Sequence, residues 1–408
     1  MDFSYSDKVE DLRARLIDFM QEHVIPAEAV AADYHHANPG VFGPPPIMED
    51  LKAEARARGL WNLFLPEDDR GGGLTNLEYA PLAELTGWSP FIAPEAINCS
   101  PPDTGNMELL SRYGTPEQQD RWLKPLLAGE FRSCFSMTEP AVASSDASNI
   151  ALSIEDAGDE WVLNGRKWWS TAAWRPDCRV SFVMGVTDPD APKGKRHSLV
   201  LVPFGTPGMT LVRSTTVLGF DDRHEGGHAV IDFENVRVPK DALLGERGSG
   251  FAVAQARLGP GRIHHCMRLI GMAERAIAMM TERARTRVTF GVPLSEQGVI
   301  QTWVADARTN VNAARLQVLS AAWKMDRDGN KEARHEIAAA KILVPQVVRD
   351  VTDRAMQVFG GGGMSSDFML SQLYAQARFL QIADGPDEVH RRSLARAEFA
   401  ATPVFKVM

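Results

Sequence analysis

The chain has 408 residues, 44% hydrophobic and 24% charged, which is enough apolar material for a large buried core spread over more than one domain. Lys+Arg 44 against Asp+Glu 53 leaves a formal net charge of -9, a sign that repels phosphate backbones and argues against nucleic acid as a partner. The start, Met1 to Asp7, lacks the basic and apolar runs of a signal peptide, and no apolar run approaches the roughly 20 residues of a membrane span, so a soluble, cytoplasmic protein is expected.

From Asp7 to about Arg132 the pattern is helical, with Val9, Leu12, Leu16 and Phe19 recurring at three to four residues. Loops interrupt it from Asn38 to Pro46 and from Asp68 to Gly73, where consecutive glycines forbid regular structure. In Tyr113-Gly114-Thr115-Pro116, Gly114 closes one helix, Thr115 caps the next and Pro116 takes its first position. Between about Phe135 and Pro239 the period falls to 2, which predicts a small antiparallel β domain, and Asn164-Gly165 between apolar runs predicts a hairpin turn. Ser198 to Phe204 and His228 to Val238 read as strands, the latter alternating Ala229, Ile231, Phe233 against Val230, Asp232, Glu234. From about Phe251 the helical period returns. Ile337, Ala340, Val344, Val347, Val351, Ala355 and Val358 form a stripe that other helices must cover, and helices over about 263–285, 303–325 and 370–396 complete an antiparallel bundle.

A metal reading fails on context. His224-Glu225-Gly226-Gly227-His228 matches the His-Glu-x-x-His pattern of zinc proteases, but two glycines disfavour the required helix and a strand pattern follows. His35-His36 and His264-His265 lack a third ligand at suitable spacing and read as surface or core histidines. Cys99, Cys134, Cys178 and Cys266 are too scattered for structural zinc or a disulfide framework and read as reduced thiols. The run Ile382-Ala383-Asp384-Gly385-Pro386-Asp387-Glu388-Val389-His390-Arg391 fits, by itself, a loop and an acidic first helical turn.

Several segments carry more when taken in order. They are 113–118 with Trp122-Leu123-Lys124-Pro125-Leu126-Leu127-Ala128-Gly129-Glu130, and Phe135-Ser136-Met137-Thr138-Glu139-Pro140 with Ala143-Ser144-Ser145-Asp146. Asn164-Gly165-Arg166-Lys167-Trp168-Trp169-Ser170-Thr171 and Val236-Arg237-Val238-Pro239 follow, with 244–251 after them. Last come Arg287-Val288-Thr289-Phe290-Gly291 and Gln357-Val358-Phe359-Gly360-Gly361-Gly362-Gly363. Together they resemble the acyl-CoA dehydrogenase family over nearly the whole chain. The resemblance implies an α+β fold of three domains: N-terminal and all-helical over 1–132, a middle antiparallel β-barrel over 133–242, and a C-terminal four-helix bundle over 243–408.

It also implies FAD, held by Phe135, Met137, Thr138, Ser145, Trp169 and Thr171 at the ring side. Arg287, Phe290, Gln297, Gln357, Gly360 and Gly361 would serve the phosphates and adenine across a subunit interface, and Glu388 stands at a further flavin contact. The residue chemistry agrees: Thr138 and Ser145 bring hydroxyls, Trp169 a flat apolar cover, Arg287 a permanent cation, and the glycines close backbone approach. Each also has a plain structural reading as a cap, a core tryptophan, a surface arginine or a helix end. By resemblance Asp384 is the base that removes the proton α to a CoA thioester while the β-hydrogen leaves as hydride. The oxyanion is supported at Asp384 and Gly385, through the Asp384 N–H and a ribityl hydroxyl. Arg262 and Arg391 match substrate-supporting arginines, with ordinary salt bridges as the alternative. The expected partners are an acyl-CoA substrate, an electron-transfer flavoprotein and further copies of the chain in a homodimer or homotetramer, in fatty acid β-oxidation.

The chain departs from the family pattern in ways that bear on its substrate. Asp384 stands where most members have Glu, about 1.5 Å shorter in reach. Pro386 and Glu388 replace a hydroxyl and an amide, Ala141 and Ala143 replace glycines, and one extra residue precedes Asp146. The glutamine expected after Phe290 falls on Gly298, with Gln297 one place early, and Gly259 replaces an aspartate before Arg262. The 383–390 run resembles the subgroup of human family members ten and eleven, which implies long, branched or 4-hydroxy and 4-phospho acyl-CoAs. A nitroalkane-type flavin oxidase with an aspartate base, or a non-catalytic flavin-bearing binding protein, are the alternatives.

Overall fold

The computed structural model describes residues 4–66 and 68–401. Among these, the N-terminal stretch forms α1 (Asp7–Phe19), α2 (Ile25–Ala37), α3 (Ile47–Ala57), α4 (Asn76–Thr86), α5 (Ala93–Ala96), α6 (Asp103–Tyr113), α7 (Pro116–Gln118) and α8 (Lys124–Ala128). The middle stretch forms β1 (Arg132–Ser136), β2 (Ser153–Asp156), β3 (Glu160–Thr171), β4 (Cys178–Val186), β5 (His197–Pro203), β6 (Met209–Thr215), β7 (His228–Pro239) and β8 (Leu243–Leu244). Then follow α9 (Gly250–Thr286), the short pair β9 (Val288–Thr289) and β10 (Val292–Pro293), α10 (Gly298–Asp328), α11 (Arg334–Phe359), α12 (Leu370–Phe379) and α13 (Asp387–Ala400).

Contacts divide the chain into two compact units that do not follow chain order. Of the described residues, one unit holds 4–13, 75–90 and 262–401; the other holds those within 14–74 and 91–261. In the first, the helical unit, α11 packs on α10, α12 and α13, and α4 packs on α10. The α11 stripe is buried as its spacing predicts, from Val344 and Ala355 at 0% to Val347 at 9% exposed. Close helix approach needs small residues. A Cβ on Gly271 would stand 1.9 Å from the Glu84 carbonyl oxygen, and one on Gly87 1.9 Å from that of Arg268, so the backbones of 84–87 and α9 touch directly. The single helix expected over 370–396 is instead two, because Asp384 and Gly385 take positive φ and Pro386 has no N–H to offer a continuing helix.

In the second, the β unit, the sheet runs β6-β7-β3-β2-β4-β5-β8, with β1 pairing parallel to β4. The barrel expectation is thus corrected: among the described residues no pairing joins β6 to β8, and the sheet is mixed rather than antiparallel. The parallel pair arises because β1 and β4 are separated by the β2–β3 hairpin, which serves as the long crossover that parallel neighbours need. Asn164-Gly165 also differs from expectation, lying inside β3 rather than at a turn. The register against β7 slips between Leu163 and Gly165, and Asn164 Oδ1 accepts from the Asn235 N–H at 2.8 Å. The pair thus builds a bulge, where glycine and a local side-chain acceptor are as useful as in a hairpin. The core is Cys134, Ile154, Trp161, Leu163, Val183, Val200, Ile231 and Phe233. The Thr115 cap forms as read, with Gln118 N–H on Thr115 Oγ1 at 3.3 Å and Gln118 Oε1 returning the bond to Thr115 N–H. All four cysteines are buried free thiols.

Candidate functional site

In the helical unit the chain reverses between α12 and α13 over residues 380–386. Asp384 sits at φ 56 and Gly385 at φ 99, and the Asp387 N–H starts α13 by bonding back to the Gln381 carbonyl at 3.1 Å. Glycine suits position 385 because φ 99 strains any residue with a side chain, and an added Cβ would also press on His390 Nε2 at 3.1 Å. Two cations from other helices fix this turn. Arg262 Nε of α9 donates to the Asp384 carbonyl at 2.8 Å, and the buried Lys341 ammonium of α11 donates to the Leu380 carbonyl. One helical turn beyond Arg262, His265 Nε2 lies 3.5 Å from Asp384 Oδ2, both side chains 20% exposed.

The surrounding groups are tuned mainly by burial. Desolvation pulls the Lys341 ammonium and the Arg262 guanidinium below their ordinary values, with Asp384 opposing both. His390 is lowered to about 4 by burial, then by Arg262 and Lys341, so it is neutral at physiological pH. Burial raises the Asp387 carboxyl and pushes the Cys266 thiol to about 12. The turn therefore joins a carboxylate to fixed cations in a largely dry setting, which suits proton abstraction next to a carbonyl.

The structure brings Asp384, Gly385 and Arg262 together. Arg391 is half-exposed and pairs on its own helix with Asp387 at 3.6 Å and Glu388 at 3.5 Å, and the Glu388 side chain is 80% exposed. Three residues at this turn escaped the sequence reading. His265, beside His264, reads in the sequence as a surface or core histidine. Lys341 is hidden in an apolar stripe, where its i+4 relation to Ile337 is the available signal. His390 reads in the sequence only as part of a helix start.

In the β unit, the segment 137–139 is stitched to β3. Lys167 Nζ donates to the Met137 carbonyl at 2.9 Å and pairs with Glu139 Oε1 at 2.7 Å, while Ala151 and Leu152 N–H groups fill the same carboxylate. Burial lowers the Lys167 ammonium against the opposing pull of Glu139. The Thr138 hydroxyl donates to the Trp168 carbonyl at 2.8 Å, so its proton is already used. Ser145 is exposed, and it is Ser144 whose Oγ accepts the Glu139 N–H at 2.9 Å. Phe135 carries the Arg257 guanidinium on its ring at 4.3 Å. Trp169 is held at φ 57, with its ring 5.3 Å from that of His228. His228 Nδ1 meets Thr171 Oγ1 at 3.0 Å and its Nε2 meets Asp222 Oδ2 at 2.9 Å, a buried chain that ends on a candidate flavin residue. An open cleft of ≈ 440 Å³ lies beside Glu139, Pro140, Ala141, Gly165 and Arg166.

The remaining candidates lie in the helical unit at the ends of α9 and α11, which are neighbours because Arg283 stacks on the Phe359 ring at 5.2 Å. Arg287 is exposed, Phe290 is 98% exposed at φ 47, and Gln357, Gly360 and Gly361 are exposed, with open space where side chains on the two glycines would stand. Gln297 caps α10, its carbonyl accepting from Ile300 and Gln301. An exposed permanent cation, an open glycine cradle and a bare aromatic ring offer what the phosphates and adenine of a dinucleotide need, so these residues fit FAD.

Family models described as the N-terminal, middle and C-terminal domains of acyl-CoA dehydrogenase match residues 6–130, 134–236 and 248–399. The chain is 58% identical to "Probable acyl-CoA dehydrogenase FadE2" of Mycobacterium tuberculosis over 98% of this chain and 97% of that one. It is 50% identical to "Acyl-CoA dehydrogenase family member 10" of Mus musculus over 96% of this chain but only 37% of that longer protein. Among solved structures, that of a putative acyl-CoA dehydrogenase from Mycobacterium abscessus superposes with a TM-score of 0.94 at 49% identity, covering 98% of this chain and 99% of that one.

Proposed function

The chain belongs to the acyl-CoA dehydrogenase family, and we propose that it is an FAD-dependent enzyme in which Asp384 withdraws the α-proton of an acyl-CoA thioester as the α,β double bond forms. When bound, FAD supplies the two-electron acceptor. Thr138, Met137, Trp169 and Thr171 would hold its ring side, and Arg287, Phe290, Gly360 and Gly361 its phosphates and adenine. A 98%-exposed Phe290 beside exposed Val288 supports a second copy of the chain at that end, hence a dimer or a dimer of dimers. An electron-transfer flavoprotein as acceptor, a cytoplasmic setting and the three-part division near residues 132 and 242 belong to the same reading.

The observation that carries it is the fixed carboxylate of Asp384. Its carbonyl is anchored by Arg262, its side chain meets His265, and its backbone takes a left-handed conformation that this short side chain tolerates. Holding the carbonyl oxygen sets where the carboxylate stands, and the Arg262 and Lys341 cations attract its negative charge. They also suit an acyl chain bearing a further anionic or hydroxyl group, so 4-phospho and 4-hydroxy acyl-CoAs join long and branched chains as substrate candidates.

The test is anaerobic titration of the purified protein with acyl-CoAs of different length, with and without a 4-substituent, following the flavin band. Bleaching is expected in the native protein. In Asp384→Asn it should fall by about 10²–10⁴-fold with flavin content unchanged. Full bleaching in that variant, or oxygen consumption on nitroalkanes without CoA, would overturn the reading.

A further inference from the structure

We propose that His265 is the positioning residue of Asp384, presenting it with a neutral Nε2–H donor in a tautomer that Arg268 selects. This rests on Asp384 as the base. An arginine can only donate, so His265 Nδ1, which Arg268 Nη2 meets at 3.3 Å, must be the acceptor. The ring proton of neutral His265 is then on Nε2, the atom that faces Asp384 Oδ2 at 3.5 Å. The order Arg262, His265, Arg268 has a spacing of three along α9, which puts all three on one face of the helix. Arg262 holds the backbone oxygen of Asp384 and His265 its side chain, so one helix face sets two points of one residue.

Several other charged and titratable groups stand around the pair. On α9 itself stand Arg262, Arg268 and buried His264, whose ring packs edge-on against Tyr79 of α4 at 5.0 Å; Cys266 is a protonated thiol. Lys341 of α11 and, from the turn and α13, Asp387 and neutral His390 complete the set. The Arg268 guanidinium donating to Nδ1 occupies the position that a second ring proton would need. A neutral donor steadies the carboxylate yet leaves more of its basicity than an imidazolium would. The aspartate side chain, one methylene short of a glutamate, is thereby oriented by a partner on a rigid helix.

The experiment combines ¹⁵N-histidine NMR of the holoprotein with the pH dependence of flavin bleaching by an acyl-CoA. His265 should show the Nε2–H signature, assigned by its disappearance in His265→Gln. His265→Ala should move the acid limb of the pH profile to higher pH by about half a unit or more, because the ionised carboxylate loses a donor. His265→Gln, whose amide can still donate, should restore the limb. An Nδ1–H signature, or an unmoved limb in His265→Ala, overturns the proposal. Neither of those results touches the base itself, which Asp384→Asn tests separately.

Discussion

In the β unit the segment 137–139 is held by the strand it lies on: Thr138 exchanges bonds with Trp168, and Lys167 and Glu139 form a pair filled out by two backbone N–H groups. In the helical unit the turn 380–386 is held by side chains reaching from other helices, Arg262 onto one carbonyl and Lys341 onto another. A group fixed by sheet register shares in the stability of the whole sheet, whereas a turn fixed by two cations can lose one anchor and keep its fold. Variants in the first place should therefore be read in stability, and in the second in turnover.

The largest effect is expected in the β unit. Lys167→Met leaves the Glu139 carboxylate buried without its cation, at a cost of about 3–5 kcal/mol, measurable by urea unfolding. A loss under about 1 kcal/mol would remove the contrast. Next comes Arg262→Met, which frees the Asp384 carbonyl. A base misplaced by about 1 Å should lower turnover on the order of 10²-fold while the unfolding midpoint moves little. Lys341→Met sharpens the comparison because Lys341 is both core and anchor. It should cost about 1–3 kcal/mol for the carbonyl left unpaired and also slow turnover. A purely structural loss would reassign Lys341 to the core alone.

Much of this was legible in the sequence, and the misses have physical causes. Periodicity placed the helical, β and helical stretches because burial follows 3.6- and 2-residue periods whatever the tertiary partners. It could not show that α4 leaves its chain neighbours for α10, since an apolar face does not name what covers it. Asn164-Gly165 misled because a bulge and a two-residue turn need the same residues. At the site, Asp384, Gly385 and Arg262 came from motif resemblance, but His265 and Lys341 required packing: one lies a helical turn past Arg262, the other points inward from a stripe that reads as core. Ser144 bonds the loop back to Glu139 while Ser145 is exposed, a distinction that only the backbone path makes.

The smallest effect concerns Glu108 of α6, a β-unit carboxyl that lacks what Glu139 has. It is 2% exposed, its nearest cation is Arg112 at 3.9 Å, and among the described residues its Oε2 has no hydrogen-bond partner. Burial, opposed by Arg112 and Arg257, pushes its carboxyl up to about 8, against roughly 4.3 in an unfolded chain. The folded state thus holds this proton more tightly. The stabilisation is fully present below the unfolded value and is lost as pH rises from roughly 4.3 towards 8, because the unfolded state binds fewer protons across that window. Buried Asp103, raised in the same sense, adds to the slope. Glu108→Gln should therefore flatten part of the fall in unfolding free energy over that window and make the variant the more stable protein above pH 8. It should leave the acid limb of flavin bleaching where it is, since Glu108 belongs to a different unit from Asp384. A shifted limb in Glu108→Gln would tie this carboxyl to the chemistry and break the contrast between the two centres.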